Sequence, residues 1–212
     1  MIFEQVRVGG DRNFAYVIGD PDSLQGLVVD PAFRPELVLE RASALGLSIA
    51  LLVNTHGHDD HVNGNQLVLD RTGAELLGAW PGSTRDGEKR TLGSLQLTFI
   101  HTPGHTADSM CLLVEGPAGA GKLMTGDTLF VGKVGGTGFG DDARAEYDSL
   151  REKLLTLPDE VEVYPGHDYG VAPSSTIGSE RRTNPFLLRA SLDDFIDLKR
   201  NWQAYKGEHG IK

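Results

Sequence analysis

The chain has 212 residues, 39% of them hydrophobic and 24% charged, with a formal net charge of −10. That balance suits a single folded domain over residues 1–212 with a sizeable core, and the acidic field disfavours a nucleic-acid partner. A lone cysteine, Cys111, leaves no internal disulfide to form; with neither an apolar signal segment nor an 18-residue apolar run, a cytoplasmic protein away from membranes is expected.

In chain order, Phe14, Tyr16 and Ile18 alternate with other residues, which predicts a half-buried strand. GLVVD (26–30) predicts a second, stopped by Pro31. Pro35 then suits the first turn of a helix with Val38, Ala42 and Leu45 on one face and Gly46 at its end. IALLVN (49–54) reads as a fully buried strand, and Trp80, Pro81 and Gly82 as a turn. Strand-like runs return at LQLTFI (95–100), SMCLLVE (109–115), KLMT (122–125) and VEVY (161–164). Tyr147, Leu150, Leu154 and Leu157 predict one helical stripe. Phe195, Leu198, Trp202 and Tyr205 predict another, opened by a capping pair of Ser191 and Asp194. Many strands with separated helices imply an α/β or α+β layered domain.

The residues that carry chemistry follow the strands. His56, His58, Asp60 and His61 come after IALLVN, His105 after LQLTFI, Asp127 after KLMTG and His167 after VEVYPG. Loops at one edge of a rigid sheet are where active-site residues gather. In an extended segment His56 and His58 reach one ion, which His105 completes. Asp60 and His61, past the turn, face a second ion with His167, and Asp127 has an oxygen for each. Neutral imidazole and carboxylate suit Zn(II), Fe(II) or Mn(II). Cys111, inside an apolar strand, is expected in the core.

The phrases THGHDDHVNGN, TPGHTADS, TGDTLFVG and YPGHDYG, between residues 55 and 170, resemble the metallo-β-lactamase superfamily signature of HxHxDH, a later His, a bridging Asp and a last His. Within it the chain is similar to the glyoxalase II (hydroxyacylglutathione hydrolase) and persulfide dioxygenase branches, and the tail STIGSERRTNPFLL extends the likeness. The resemblance implies an αβ/βα sandwich of two mixed β-sheets, with helices outside and the metal at one edge. It implies a hydrolase of a small-molecule thioester or ester, holding two divalent ions, Zn(II) foremost, with Asp60 both ligand and orienter of the nucleophile. The runner-up branch implies one Fe(II) on His56, His105 and Asp127 and persulfide oxidation; a lactonase is a third reading. Tyr169 stands where glyoxalase II has a tyrosine near glutathione, but Gly136 stands where that branch has a cation. Lys133 is basic three residues earlier, and Phe130 and Phe139 are candidate pocket walls. His101 is expected to bond loop backbone, Asp59 and Asp168 to support neighbouring ligands, Ser109 to be structural, and Arg181 and Arg182 to pair at the surface. The oligomeric state is not legible.

Overall fold

Strands β1 (Ile2–Gly9), β2 (Asn13–Gly19) and β3 (Gln25–Val29) are each antiparallel to the next. Helix α1 (Pro35–Ala44) then crosses over to β4 (Ser48–Asn54), and α2 (Asp59–Val62) and α3 (Asn65–Thr72) lead to β5 (Glu75–Gly78). These crossovers make β3, β4 and β5 parallel neighbours and complete a first sheet in the order β1-β2-β3-β4-β5. The computed structural model describes residues 1–78, 83–117, 119 and 121–210, so the turn expected at Trp80, Pro81 and Gly82 lies outside the described residues.

Strands β6 (Lys89–Leu92), β7 (Leu95–His101), β8 (Met110–Glu115) and β9 (Lys122–Gly126) form a meander. A short hairpin, β10 (Leu129–Phe130) with β11 (Lys133–Val134), precedes α4 (Asp141–Glu152). A 3-10 turn (Leu154–Thr156) leads to β12 (Glu162–Pro165), parallel to β9, and to the edge strand β13 (Ser175–Thr176). Helices α5 (Ile177–Thr183), α6 (Leu192–Arg200) and α7 (Trp202–His209) close the chain. The second sheet has the order β13-β12-β9-β8-β7-β6.

Three apolar layers define the architecture. Phe14, Tyr16, Ile18, Leu27 and Val53 of the first sheet meet Leu97, Phe99, Leu112 and Met124 of the second. Ala15, Val17, Val28 and Leu52, on the opposite face of the first sheet, pack against Val38 and Ala42 of α1 and Val68 of α3. Cys111, Leu113, Leu123 and Val163 pack outward against Leu150, Ile177, Phe195 and Leu198 of the later helices. The result is a helix–sheet–sheet–helix sandwich, as the resemblance implied. Each fully buried Leu, Ile or Phe contributes about 1.5–3 kcal/mol relative to exposure.

Three expectations need correction. Strand β2 is buried at every position, not half-buried, because the residues between Phe14, Tyr16 and Ile18 face α1 and α3 instead of water. The stripe from Tyr147 to Leu157 is not one helix: α4 ends at Glu152, and Leu157 is extended (φ −70°, ψ 153°) ahead of Pro158. Proline disfavours helical geometry in the residue before it, so Leu154 stays buried through a 3-10 turn instead. The C-terminal stripe is split at Asn201, whose side-chain amide bonds the Asp197 carbonyl at 3.0 Å and so competes with helix continuation. The Ser191 cap is present, its hydroxyl accepting from the Asp194 N–H at 3.1 Å. Among the described residues no helix is long and apolar enough to cross a membrane.

Candidate metal centre

The seven predicted donors converge at one edge of the sandwich, beyond the C-terminal ends of β4, β9 and β12 and in the loop after β7. The local sequence explains how one decapeptide supplies four of them. His56 and His58 lie in extended chain after β4; the single turn of α2, entered from His58 (φ −64°, ψ 142°), carries Asp60 and His61 to a second position. Three sets could each hold an ion: His56, His58 and His105; Asp60, His61 and His167; and His56, His61 and Asp127.

The ring nitrogens face one another. His58 Nδ1 is 3.0 Å from His56 Nε2 and 3.1 Å from His105 Nε2, while His61 Nε2 and His167 Nε2 are 3.2 Å apart. Nitrogen ligands about 2.0–2.1 Å from a tetrahedral ion stand roughly 3.3 Å from each other, so this crowding matches a shared ion to within a few tenths of an ångström. Asp127 lies between the trios, with Oδ1 3.5 Å from His61 and Oδ2 3.6 Å from His105 and 3.4 Å from His167. Its buried Oδ1 has no hydrogen-bond partner among the described residues. A buried carboxylate oxygen without a donor is costly unless a cation serves it, so the donor set fits divalent metal.

For His61, His105 and His167 the opposite ring nitrogen is held by protein, which fixes the tautomer that leaves the inward nitrogen free. His61 Nδ1 donates to Asp30 Oδ2 at 2.9 Å, His105 Nδ1 to the Gly136 carbonyl at 2.8 Å, and His167 Nδ1 to the Asp11 carbonyl at 2.9 Å. Burial opposes charge on His61, but Asp30 outweighs it and raises the imidazole to about 9. Burial, then the charge of His61, lowers His56 to about 4. Burial resists ionisation of Asp127, yet the imidazoles of His167, 3.4 Å away, and His61 hold it well below the usual carboxylate range. Asp60, more open to the cleft, is held low in the same way by the amide of Asn13, 3.2 Å from its Oδ2.

Sequence reading missed Asp30 and Asn13. Asp30 also accepts from the Thr55 N–H (2.8 Å) and hydroxyl (2.6 Å), joining β3, β4 and the centre in one buried network. A signal was available in the sequence: Asp30 ends an apolar run as Asp127 does; in the structure it adopts φ 48°, which a non-glycine residue seldom takes. Asn13 had none, since its partner Asp60 is 47 residues away.

The two Pro-Gly-His segments need glycine for close approach. A Cβ on Gly166 would stand 2.5 Å from Asp127 Oδ1 and 2.8 Å from His61 Cε1, inside the donor cluster. One on Gly104, at φ 153°, would overlap the backbone of Glu146. Glu146 is itself part of a support for His105. Its carboxylate lies 2.5 Å from Lys199 Nζ, with side chains 0% and 6% exposed, and burial pushes it up to about 7 against the pull of that lysine. Lys199 Nζ also donates to the Gly135 carbonyl at 2.7 Å, one residue before the acceptor of His105. Lys199→Met is expected to destabilise the fold by about 3 kcal/mol by leaving Glu146 buried and unpaired, and adding Glu146→Gln to restore most of it. Urea unfolding of both variants checks this; equal stability of the single variant and the parent would refute it.

Around the centre, the Tyr169 ring stacks on His167 (centroids 4.5 Å apart, 8° between planes) and donates its hydroxyl to Asp11 at 2.6 Å. Lys133 Nζ lies 4.8 Å from the Tyr169 centroid. Phe139 is half exposed beside Gly136, whereas Phe130 is buried under His167 and Tyr169 and belongs to the core. His101 turns its Nε2 to the Thr84 hydroxyl at 3.0 Å, not to loop backbone, and its backbone N–H donates to Asp86. Asp168 pairs with Arg7 on β1 and so supports the sheet edge, not a ligand. Asp59 is exposed in the first turn of α2. Arg181 and Arg182 both pair with Asp159, and Ser109 accepts from the Thr106 N–H at 3.1 Å in its turn. Cys111 is wholly buried, and burial pushes its thiol up to about 12.

Known proteins resemble this chain in sequence and fold. The sequence pattern of the metallo-β-lactamase superfamily matches residues 8–84 and 75–167. Hydroxyacylglutathione hydrolase of Polaromonas sp. (strain JS666) is 38% identical over 182 residues, 80% of this chain and 67% of that protein. The mitochondrial persulfide dioxygenase ETHE1 of Homo sapiens is 31% identical over 201 residues, 89% and 76% of the two chains. A crystal structure of ETHE1 from Myxococcus xanthus superposes with a TM-score of 0.86 at 34% identity, covering 95% of this chain and 91% of that one. Matched by that family over most of its length and 31–38% identical to these relatives, the chain belongs to the metallo-β-lactamase superfamily.

Proposed function

We propose that the protein is a metal-dependent hydrolase of thioesters, of the glyoxalase II-like kind. The observation that carries this reading is the place of Asp127 between His56, His58 and His105 on one side and Asp60, His61 and His167 on the other, with its oxygens 3.6 Å from His105 and 3.4–3.5 Å from His167 and His61. In this reading His56, His58 and His105 would hold one divalent ion and Asp60, His61 and His167 another, with Asp127 placed within reach of both sets. Zinc is the foremost candidate, with iron or manganese compatible with the same donors. Bound there, the ions would supply hydroxide at neutral pH by lowering the pKa of water from ~15.7 to about 7, and would polarise the acyl carbonyl.

The chain's own groups do the remaining work. Asp60, kept ionised and oriented by Asn13, faces the cleft and accepts a hydrogen bond from the attacking water. Water adds across the acyl C–S bond, oxygen and one hydrogen to the acid and the other hydrogen to the departing thiol. Tyr169, packed on His167, forms a wall of the substrate site with Lys133 and Phe139 near it. No serine nucleophile is required.

A second reading, a mononuclear Fe(II) persulfide dioxygenase using His56, His105 and Asp127, is favoured by the likeness to ETHE1 of Myxococcus xanthus over nearly the full length of both chains. Metal analysis of protein purified without added metal, with an oxygen-electrode assay, separates the two. About two equivalents of zinc per chain and thioester cleavage under anaerobic conditions are expected. One iron per chain with oxygen uptake on a persulfide, and no thioester cleavage, would overturn the hydrolase reading.

A further inference from the structure

A hollow of about 220 Å³ opens beside the donor cluster, walled by Tyr169 and Trp202 and rimmed by Arg12, Lys133 and Lys206. Tyr169 joins it to the centre: one face of the ring stacks on His167, while Lys133 Nζ and the Arg12 guanidinium each lie 4.8 Å from the ring centroid. Trp202 and Lys206 are four residues apart on α7 and so share one helix face.

This concentration of positive charge runs against a chain whose net charge is −10. Among the described residues neither Lys133 nor Lys206 has an ion-pair partner, and Arg12 has only Asp11, 3.7 Å away. On the rim three cations face one carboxylate, which leaves two positive charges over; Asp127 also acts on Lys133, but it is the carboxylate that the hydrolase reading assigns to the metal ions. Burial, then repulsion from Lys206, pulls the Lys133 amine below its ordinary range. Like charges held close and partly out of water are unfavourable unless an anion joins them.

Building on the hydrolase reading, we propose that this hollow binds a phosphate monoester carried by the substrate, within one side chain's breadth of the bond that is cleaved. A phosphate monoester brings about −1.5 to −2 charges near neutral pH, which matches the excess, whereas a single carboxylate leaves a cation unmatched. The Arg12 fork and the two lysine ammoniums are the donors such a group takes. The cations come from the β1–β2 turn, β11 and α7, so Gly136 at the position where a cation was expected is consistent with a different recognition chemistry. The phosphate is carried through the reaction intact and belongs either to the acyl half or to the thiol half of the thioester.

Methyl phosphate is the probe. Calorimetry on the metal-loaded full chain is expected to show binding that weakens roughly tenfold or more in Lys133→Met and in Lys206→Met. Lys206 lies on the last described helix, where methionine retains the apolar stem, so this variant reports even if Lys133→Met fails to fold. Equal binding by parent and variants (phosphate on the metal alone), no binding, or acetate binding as tightly as methyl phosphate would each overturn the proposal. Matched thioesters with phosphate on the acyl half, on the thiol half or absent then name the source. A kcat/KM preference for one phosphorylated form, reduced in Lys206→Met, is expected. Equal kcat/KM for all three sinks the phosphate proposal and leaves the hydrolase standing; no hydrolysis of any sinks the hydrolase, with methyl phosphate binding still decided by calorimetry.

Discussion

Asp127→Asn is expected to lower kcat for thioester hydrolysis by roughly a thousandfold and to reduce the bound metal below the parent's content. The carboxylate places one oxygen toward His61 and the other toward His105 and His167, and its buried Oδ1 has no protein donor among the described residues. An amide of the same shape has one oxygen and no negative charge, so it cannot serve both sides. Exhaustive chelation should reproduce the loss in the parent, and zinc should restore the parent but not the variant. Metal analysis beside single-turnover rates decides it: an Asp127→Asn chain with full metal and full rate would remove the centre from the chemistry.

Asp30→Asn is expected to have the second-largest effect although Asp30 is not a donor to the cluster. Its carboxylate accepts from His61 Nδ1, from the Thr55 N–H and from the Thr55 hydroxyl, all within a buried pocket. An asparagine turns its NH2 either toward His61 or toward Thr55. In the first case His61 must accept at Nδ1 and carry its proton on Nε2, facing the centre, where it blocks ligation. In the second, two donors meet at Thr55. Supporting partners of this type are worth about 10–100-fold in metal affinity. Breaking the buried charged pair costs on the order of 3 kcal/mol of stability. Metal titration and thermal unfolding measure the two losses separately. Parent-like metal affinity in a folded Asp30→Asn chain would mean that the His61 tautomer is set by something else.

The strands that deliver the donors were legible because each is an apolar run ending abruptly in His or Asp, as in IALLVNTHGH, and because few side chains have the chemistry to bind a metal. The edge strands were not. β1 is mostly half-exposed, and β6, KRTL, is two charges followed by Thr91 and one buried apolar residue, Leu92. Such edges are held by their neighbours' hydrogen bonds more than by their own pattern. The two helical stripes were right about which face packs inward and wrong about continuity, since periodicity reports a face and not a break at Asn201 or before Pro158.

By itself the sequence determined which groups are able to bind metal, that they follow strands, and the layered class of fold, because residue chemistry and short-range periodicity are local properties. Only the tertiary structure decided that Asp127 stands between two trios, that Asp30, Gly136 and Asp11 turn the rings, that Lys199 reaches Glu146 to brace the loop beside His105, and that three cations share a hollow with Tyr169. Those relations join residues tens to more than a hundred positions apart. They are set by packing two sheets and their helices together, and no repeat along the chain encodes them.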